Sequence, residues 1–259
     1  MIVPGMVSVT FRKKTPAEIV GLTARAGLAA IEWGGDIHVP PGDPARADEV
    51  GRMTREAGLQ VASYGSYYRC GHSAQEGVAF EPVLETALAL GAPRIRVWAG
   101  KGGSAQADDA VWAAVVADAR RVADRAAGSG LHIAFEYHAN TLTDTPASTR
   151  RLLDALPHPA VFMLWQPPSG RSDAECTEAL REVLPRLAHL HVFHWAWENG
   201  VQRRPLAEGQ ARWRVWLGMV ERAGRDHEAL LEFVRNDDES AFLEDAAVLR
   251  RWIESAAGE

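Results

Sequence analysis

Cysteine is nearly absent from this 259-residue chain: Cys70 and Cys176 are the only two, and they lie far apart. A disulfide framework is excluded as the organising device, and a reducing cytoplasm is the expected location. The opening stretch MIVPGMVSVTFRKK does not run basic, apolar and small in the order that marks a secretory signal. No apolar run approaches the roughly 18 residues of a membrane span, so no membrane partner is expected. Basic residues number 28 against 34 acidic ones and are scattered, which gives a net charge of -6 and a pI near 5.9. Without a basic stripe there is no footprint for a phosphate backbone, and nucleic acid is not an expected partner. A glycine-rich phosphate turn is also missing after the first apolar run, SVTFRKKTP, which counts against a doubly wound dinucleotide-binding sheet.

What the chain does have is 47% hydrophobic residues, enough for a large core. Eight short apolar runs, MVSVTF, LAAIEW, LQVASYG, PRIRVWAG, LHIAFEY, VFMLWQ, LAHLHVFHW and ALLEFV, begin near residues 6, 28, 59, 93, 131, 161, 187 and 229. They read as strands. Stretches with helical periodicity lie between them, among them TPAEIVGLTARAG and FEPVLETALALG. Thr15 is placed to cap the first helix ahead of Pro16 and Glu18, while Gly27 and Gly91 are placed to stop helices. Strand and helix alternating eight times predict a parallel sheet with crossover helices, and eight strands close a barrel. The expected architecture is α/β, a (β/α)8 TIM barrel forming one domain over residues 1–259.

Strands of such a barrel are covered on both faces, so a charged side chain near a strand end needs a partner. Four strands in the second half carry one. In LHIAFEYHAN, alternation puts Glu136 and His138 on one face, and Ile133, Phe135 and Tyr137 on the other. HLHVFHW places His189 and His191 together, LLEFVRND carries Glu232, and VFMLWQPPSG stops on Gln166. Taken singly, each has a plain explanation as a salt-bridge partner, a cap or a satisfied core histidine. At equivalent places on consecutive strands they predict a site at the C-terminal mouth. Two carboxylates, an imidazole and an amide oxygen suit one divalent cation, Mn²⁺, Mg²⁺, Co²⁺ or Zn²⁺. Glu136, Gln166, His191 and Glu232 are the expected metal ligands, with Glu136 and Glu232 as the catalytic acid and base.

On AAIEWGGDIHVPPGD, IRVWAG, IAFEYHANTLTDT, LHVFHW and LLEFVRND the chain resembles the xylose isomerase-like barrel superfamily, and the likeness runs over nearly its whole length. That group includes endonuclease IV, ketose 3-epimerases, hydroxypyruvate isomerases and inosose dehydratases. The resemblance implies a divalent metal held by Glu on strand five, Asp on strand six, His on strand seven and Glu on strand eight. Glu136, His191 and Glu232 match three of these; Gln166, with Trp165 as its rival, stands where the Asp is expected. On strand seven the rival of His191 is His194, and alternation puts the two on opposite faces of a regular strand. The segment QPPSGRSD lacks the histidine of the endonuclease branch, which with the acidic pI turns the reading away from DNA repair.

The implied chemistry is proton transfer at a carbon beside a carbonyl, through an enediolate that a cation stabilises. A divalent-metal-dependent isomerase or epimerase of a sugar or sugar phosphate is the expected activity. A lyase that dehydrates a polyol ketone would use nearly the same residues, and the missing Asp would equally suit a non-catalytic carbohydrate-binding barrel. Substrate contacts are expected from Trp33 and His38, where paired glycines allow close approach, and from Trp98, His138 and Arg235. Lys101, Arg203 and Arg204 offer charge for a phosphate or carboxylate, and Tyr64, Tyr67 and Tyr68 an apolar wall. Trp213 and Trp216 either face a partner subunit or pack on the barrel, which leaves a homo-oligomer open.

Overall fold

The computed structural model describes residues 1–197 and 200–257. Its strands are β1 (Ile2–Val7), β2 (Ala30–Gly34), β3 (Gln60–Cys70), β4 (Arg94–Ala99), β5 (His132–Glu136), β6 (Val161–Trp165), β7 (Leu187–Val192), β8 (Trp195–Trp197), β9 (Val201–Arg203) and β10 (His227–Leu231). Eight of them, all but β8 and β9, close a parallel barrel in which β10 lies between β7 and β1. Helices α1 (Pro16–Arg25), α2 (Pro44–Glu56), α3 (Glu81–Leu90), α4 (Asp109–Gly128), α5 (Pro146–Ala155), α6 (Asp173–Val183), α7 (Gln210–Arg222) and α8 (Glu239–Ala257) return the chain between strands. This is a single-domain (β/α)8 TIM barrel. No helix among the described residues is long and apolar enough to cross a membrane.

Local chemistry sets the element ends. Thr15 caps α1 in a reciprocal box with Glu18, and Pro16 occupies the first turn, where its missing N–H costs nothing. Gly91 ends α3 at φ 76°, a conformation that a side chain resists. Two strands depart from the sequence pattern. β1 begins four residues earlier than the run MVSVTF suggests, because Pro4 and Gly5 belong to it. Gly5 is there for want of space: a Cβ would stand 2.4 Å from the Ala30 carbonyl oxygen and 2.5 Å from Leu230 Cδ2. Ser8–Phe11 then leaves the barrel as a 3-10 turn whose hydroxyls are in use. Ser8 Oγ accepts the Gly34 amide at 2.9 Å, and Thr10 Oγ1 accepts the Phe233 amide at 3.1 Å. The run LAHLHVFHW is likewise two pieces: β7 ends at Val192, and Trp195–Trp197 pairs antiparallel with β9 as a hairpin over the mouth.

The barrel's outer face carries the larger aromatic core. Trp165, Trp213 and Trp216 are fully buried and meet edge to face, with centroids 5.1 to 6.2 Å apart. Trp213 and Trp216 therefore pack on the barrel, and Trp165 points away from its interior. On α8, Asp245 accepts the Leu206 amide at 2.9 Å and ties the turn before α7 to the last helix.

Two stability outcomes follow. Gly5→Ala should lower the unfolding free energy in urea by about 2 kcal/mol or more, since the two contacts come from backbone and a packed strand. A loss under 0.5 kcal/mol would show that the barrel can open there. Burial raises the Asp245 carboxyl to about 6, above the unfolded value of about 3.9. Its contribution is complete below that lower value and is lost as pH rises through about 6. The stability of wild type relative to Asp245→Asn should fall by about 1–2 kcal/mol between pH 4 and 7.5 after discounting for solvent screening; a difference independent of pH contradicts it.

Candidate functional site

Inside the barrel a guanidinium sits among carboxylates. Arg96 on β4 is 3% exposed. Its Nη1 lies 3.3 Å from Glu136 Oε2 and 3.7 Å from Glu32 Oε1. The other nitrogens donate to the carbonyls of Gly65 at 3.3 Å and Ser66 at 3.3 and 3.4 Å. Burial opposes the charge, but Glu136 and Glu32 outweigh it and raise the Arg96 pKa. Gly65 makes room for this pair, since a Cβ there would stand 2.9 Å from Glu32 Oε1.

Glu136 closes β5 with both oxygens engaged. Trp98 Nε1 donates to Oε2 at 2.6 Å, and Gln166 Nε2 donates to Oε1 at 2.9 Å. The Gln166 nitrogen also donates to the Tyr137 carbonyl at 3.3 Å. Two acceptors on one side fix which end of the amide is nitrogen. Gln166 therefore meets Glu136 as a donor, and its oxygen points elsewhere.

Beneath lies a carboxylate with two imidazoles, all essentially inaccessible. Glu32 Oε2 is 2.9 Å from His189 Nε2, and Oε1 is 3.4 Å from His191 Nε2. The opposite nitrogen of His191, Nδ1, lies 3.3 Å from Glu232 Oε2. Burial pulls the His191 pKa down, but Glu232 and Glu32 reverse it and lift it to about 10, which makes the ring an imidazolium between two carboxylates. For His189 burial wins over the bond to Glu32, and its pKa is lowered. Burial would raise the Glu32 pKa, yet the charge of His191 and the bond to His189 hold it well below the usual range.

Above this floor opens a cleft of about 240 Å³ whose lining includes Tyr67, Arg96, Trp98, Glu136, Gln166 and Glu232. Phe233, in the same lining, holds φ at 52°, a strained value for an aromatic residue. Trp98 carries His138 stacked on it at 4.8 Å and the Arg69 guanidinium at 3.9 Å.

The fold brings some of the sequence candidates together and keeps others apart. Glu136, Gln166, Glu232, Trp98 and His138 line the cleft, and His191 supports Glu232 from below. Trp33 lies on the outer face of β2 and donates to Thr54 of α2 at 3.2 Å, because strand alternation turns Glu32, not Trp33, inward. His38 is buried with both nitrogens placed, Nδ1 2.9 Å from Ser8 Oγ and Nε2 3.1 Å from the Lys14 carbonyl, so it braces a loop. Arg235 stands outside the cleft, 3.7 Å from Glu244. Of the three tyrosines only Tyr67 reaches the cleft; Tyr64 and Tyr68 donate to the Val39 carbonyl and Asp118. His194 follows the break after β7 and lies outside the barrel interior, against Gly209. Lys101 pairs with Glu76, and Arg203 with Asp237.

Polar residues gathered at the C-terminal ends of barrel strands, beneath an aromatic mouth, mark a TIM barrel of the kind that houses enzymes. The chain belongs to the xylose isomerase-like TIM barrel family, whose model matches residues 20–252. No curated protein matches the sequence. Among solved structures it is similar to the probable 3-DHS dehydratase AsbF of Bacillus anthracis, with a TM-score of 0.82 at 21% identity, covering 96% of this chain and 99% of that one. A xylose isomerase-like TIM barrel protein from Mycobacterium smegmatis in complex with magnesium gives 0.77 at 15%, covering 99% and 98%. A D-psicose 3-epimerase in the presence of D-fructose gives 0.75 at 15%, covering all of both chains. At these identities the likeness is one of fold.

A donor set that could hold a divalent ion also lies just below the place where the sequence pattern puts one, and the two sets share His191. Among the described residues, Glu32, His189 and His191 are the set of three whose ligand atoms lie within 4.8 Å of one another. Glu32 Oε1, His189 Nδ1 and both nitrogens of His191 have no hydrogen-bond partner, which leaves ligand atoms to spare. Glu136 and Gln166 are instead committed to each other, to Trp98 and to Arg96. Charge agrees: Glu32, Glu136 and Glu232 face Arg96, and a divalent ion in place of the His191 proton would complete neutrality. Metal content after dialysis with Mn²⁺ or Zn²⁺ should fall at least about tenfold in Glu32→Gln and change less than about threefold in Gln166→Ala. The reverse pattern would hand the ion to the cleft residues.

Proposed function

We propose that the protein is an isomerase or epimerase of a small sugar or polyol ketone, working by proton transfer at the carbon beside the carbonyl. The observation that carries this reading is a cleft in which the carboxylate of Glu232, the carboxylate of Glu136 and the cation of Arg96 meet under aromatic walls. The three have unequal resources. Both oxygens of Glu136 already accept hydrogen bonds, so it orients the substrate through its remaining lone pairs. Among the described residues the Glu232 carboxylate is paired with His191, and it is the proton carrier.

Glu232 takes the proton from the C–H next to the carbonyl. The C–H electron pair becomes the enediolate double bond, and the carbonyl pair moves to oxygen, where the Arg96 charge stabilises it. Delivery of that proton by Glu232 to the neighbouring carbon on the same face exchanges aldose for ketose; inversion of the first carbon requires a second proton donor on the opposite face, the part left to the carboxyl of Glu136. Trp98, 5.9 Å from Tyr67 between ring centroids, offers a face for the substrate's C–H groups. Glu32, His189 and His191 could hold a divalent ion, which would add positive charge to stabilise the enediolate.

Incubation with ketoses, inosose and hydroxypyruvate in heavy water should incorporate deuterium at carbon without loss of water. Glu232→Gln should reduce exchange by at least about a thousandfold with the fold intact, as expected when a positioned acid/base is removed. Wild-type exchange in that variant would remove Glu232 from the role, and a dehydrated product would move the protein to the lyases.

A further inference from the structure

Beside the cleft lies a second hollow of about 310 Å³ that shares Pro167, Pro168, Ser169, Phe193 and Trp195 with it. The two form one groove crossed by a ridge, the Phe193–Trp195 pair, stacked at 4.0 Å and 22°. The second hollow is also lined by Trp197, which is 47% exposed and lies two residues along β8 from Trp195, on the same side of the strand. A large aromatic left in water over a hollow is what a stacking ligand covers.

Charge and size narrow the occupant. Two guanidiniums face the hollow, but Arg171 pairs with Glu175 at 3.4 Å and Arg212 with Asp173 at 2.5 Å. Carboxylates of α6 thus match both cations, which removes the surplus that a phosphate requires. Aromatic faces fringed by matched charges suit a neutral ring with one apolar face and many hydroxyls. Small-ligand sites usually measure about 300–1,000 Å³; the cleft alone falls below that range, and cleft and hollow together fall within it.

We infer that the groove takes a two-ring glycoside of disaccharide size, whose reacting ring occupies the cleft with Glu136 and Glu232 and whose second ring stacks on Trp195 and Trp197. The inference rests on the proposed function and extends the same site. It assigns Trp197 a part in choosing substrate length and none in the proton transfer.

Titration calorimetry of the full chain with glucose, glucose 6-phosphate, maltose and cellobiose tests it. At least one disaccharide should bind about tenfold more tightly than glucose, the gain expected of one added aromatic contact. Trp197→Ala should erase that gain and leave glucose binding as it was, while Trp197→Phe keeps most of it. Disaccharides no better than glucose, a preference for the phosphorylated sugar, or a gain that survives Trp197→Ala overturns the second-ring site. If deuterium exchange on single-ring ketoses persists in those cases, the isomerase reading stands without it. Failure of every sugar to bind together with absence of exchange removes both.

Discussion

The guanidinium of Arg96 is the constraint on which the interior of this barrel depends. A cation 3% exposed has no water to solvate it, so its surroundings must supply both charge and acceptors. They do: Glu136 and Glu32 provide the charge, and the carbonyls of Gly65 and Ser66 take the remaining hydrogens. Each partner then determines its neighbours. Glu32 needs the space left by a missing Cβ at Gly65, the bond to His189 and the charge of His191. Glu136 needs Trp98 and Gln166 on the lone pairs that Arg96 leaves. Removing one member would strand several buried groups, which ties the four strands β2, β4, β5 and β7 together through their side chains as well as through their backbone ladder.

That network explains why β6 ends on a neutral amide. Glu32, Glu136 and Glu232 already set three carboxylates against Arg96 and His191. An aspartate at position 166 would bring a fourth beside Glu136, whose charge Arg96 and Arg69 already meet, and repulsion would favour a proton on one of the two. Glutamine fills the same place as a donor. Its amide nitrogen joins Glu136 to the Tyr137 carbonyl and clamps the end of β6 to that of β5.

The barrel was legible in the sequence because its evidence is periodic: eight apolar runs separated by capped helices survive errors of a few residues at each end. The ends of β1 depart from the apolar run for local reasons, the tight place of Gly5 and the side-chain bonds that turn Ser8 and Thr10 out of the strand. Half of the site was legible too, where Glu136, His191 and Glu232 interrupt apolar strands. Glu32 in AIEWG and Arg96 in RIRVW are interruptions of the same kind in the first half of the chain, and the criterion that found the others would have found them. Trp33, beside paired glycines, has the sequence look of a substrate platform, whereas strand alternation turns its neighbour Glu32 inward. What no strand pattern encodes is the orientation of the Gln166 amide, which only two acceptors from another strand determine.

The same logic accounts for the mouth. Beyond β10 the chain must carry Glu232 to the rim and turn at once toward α8, and it does so by holding Phe233 at a φ of 52°. Such a conformation costs about 1–3 kcal/mol and persists only where several contacts oppose its relaxation. Here the Phe233 amide is held by Thr10 from the turn after β1, while Arg203 of the hairpin lies over its ring at 4.9 Å and pairs with Asp237. The early exit of β1 and the break in β7, which first look like irregularities, are what place Thr10 and Arg203 on either side of Phe233. The rim beside Glu232 is thereby held from two separate elements.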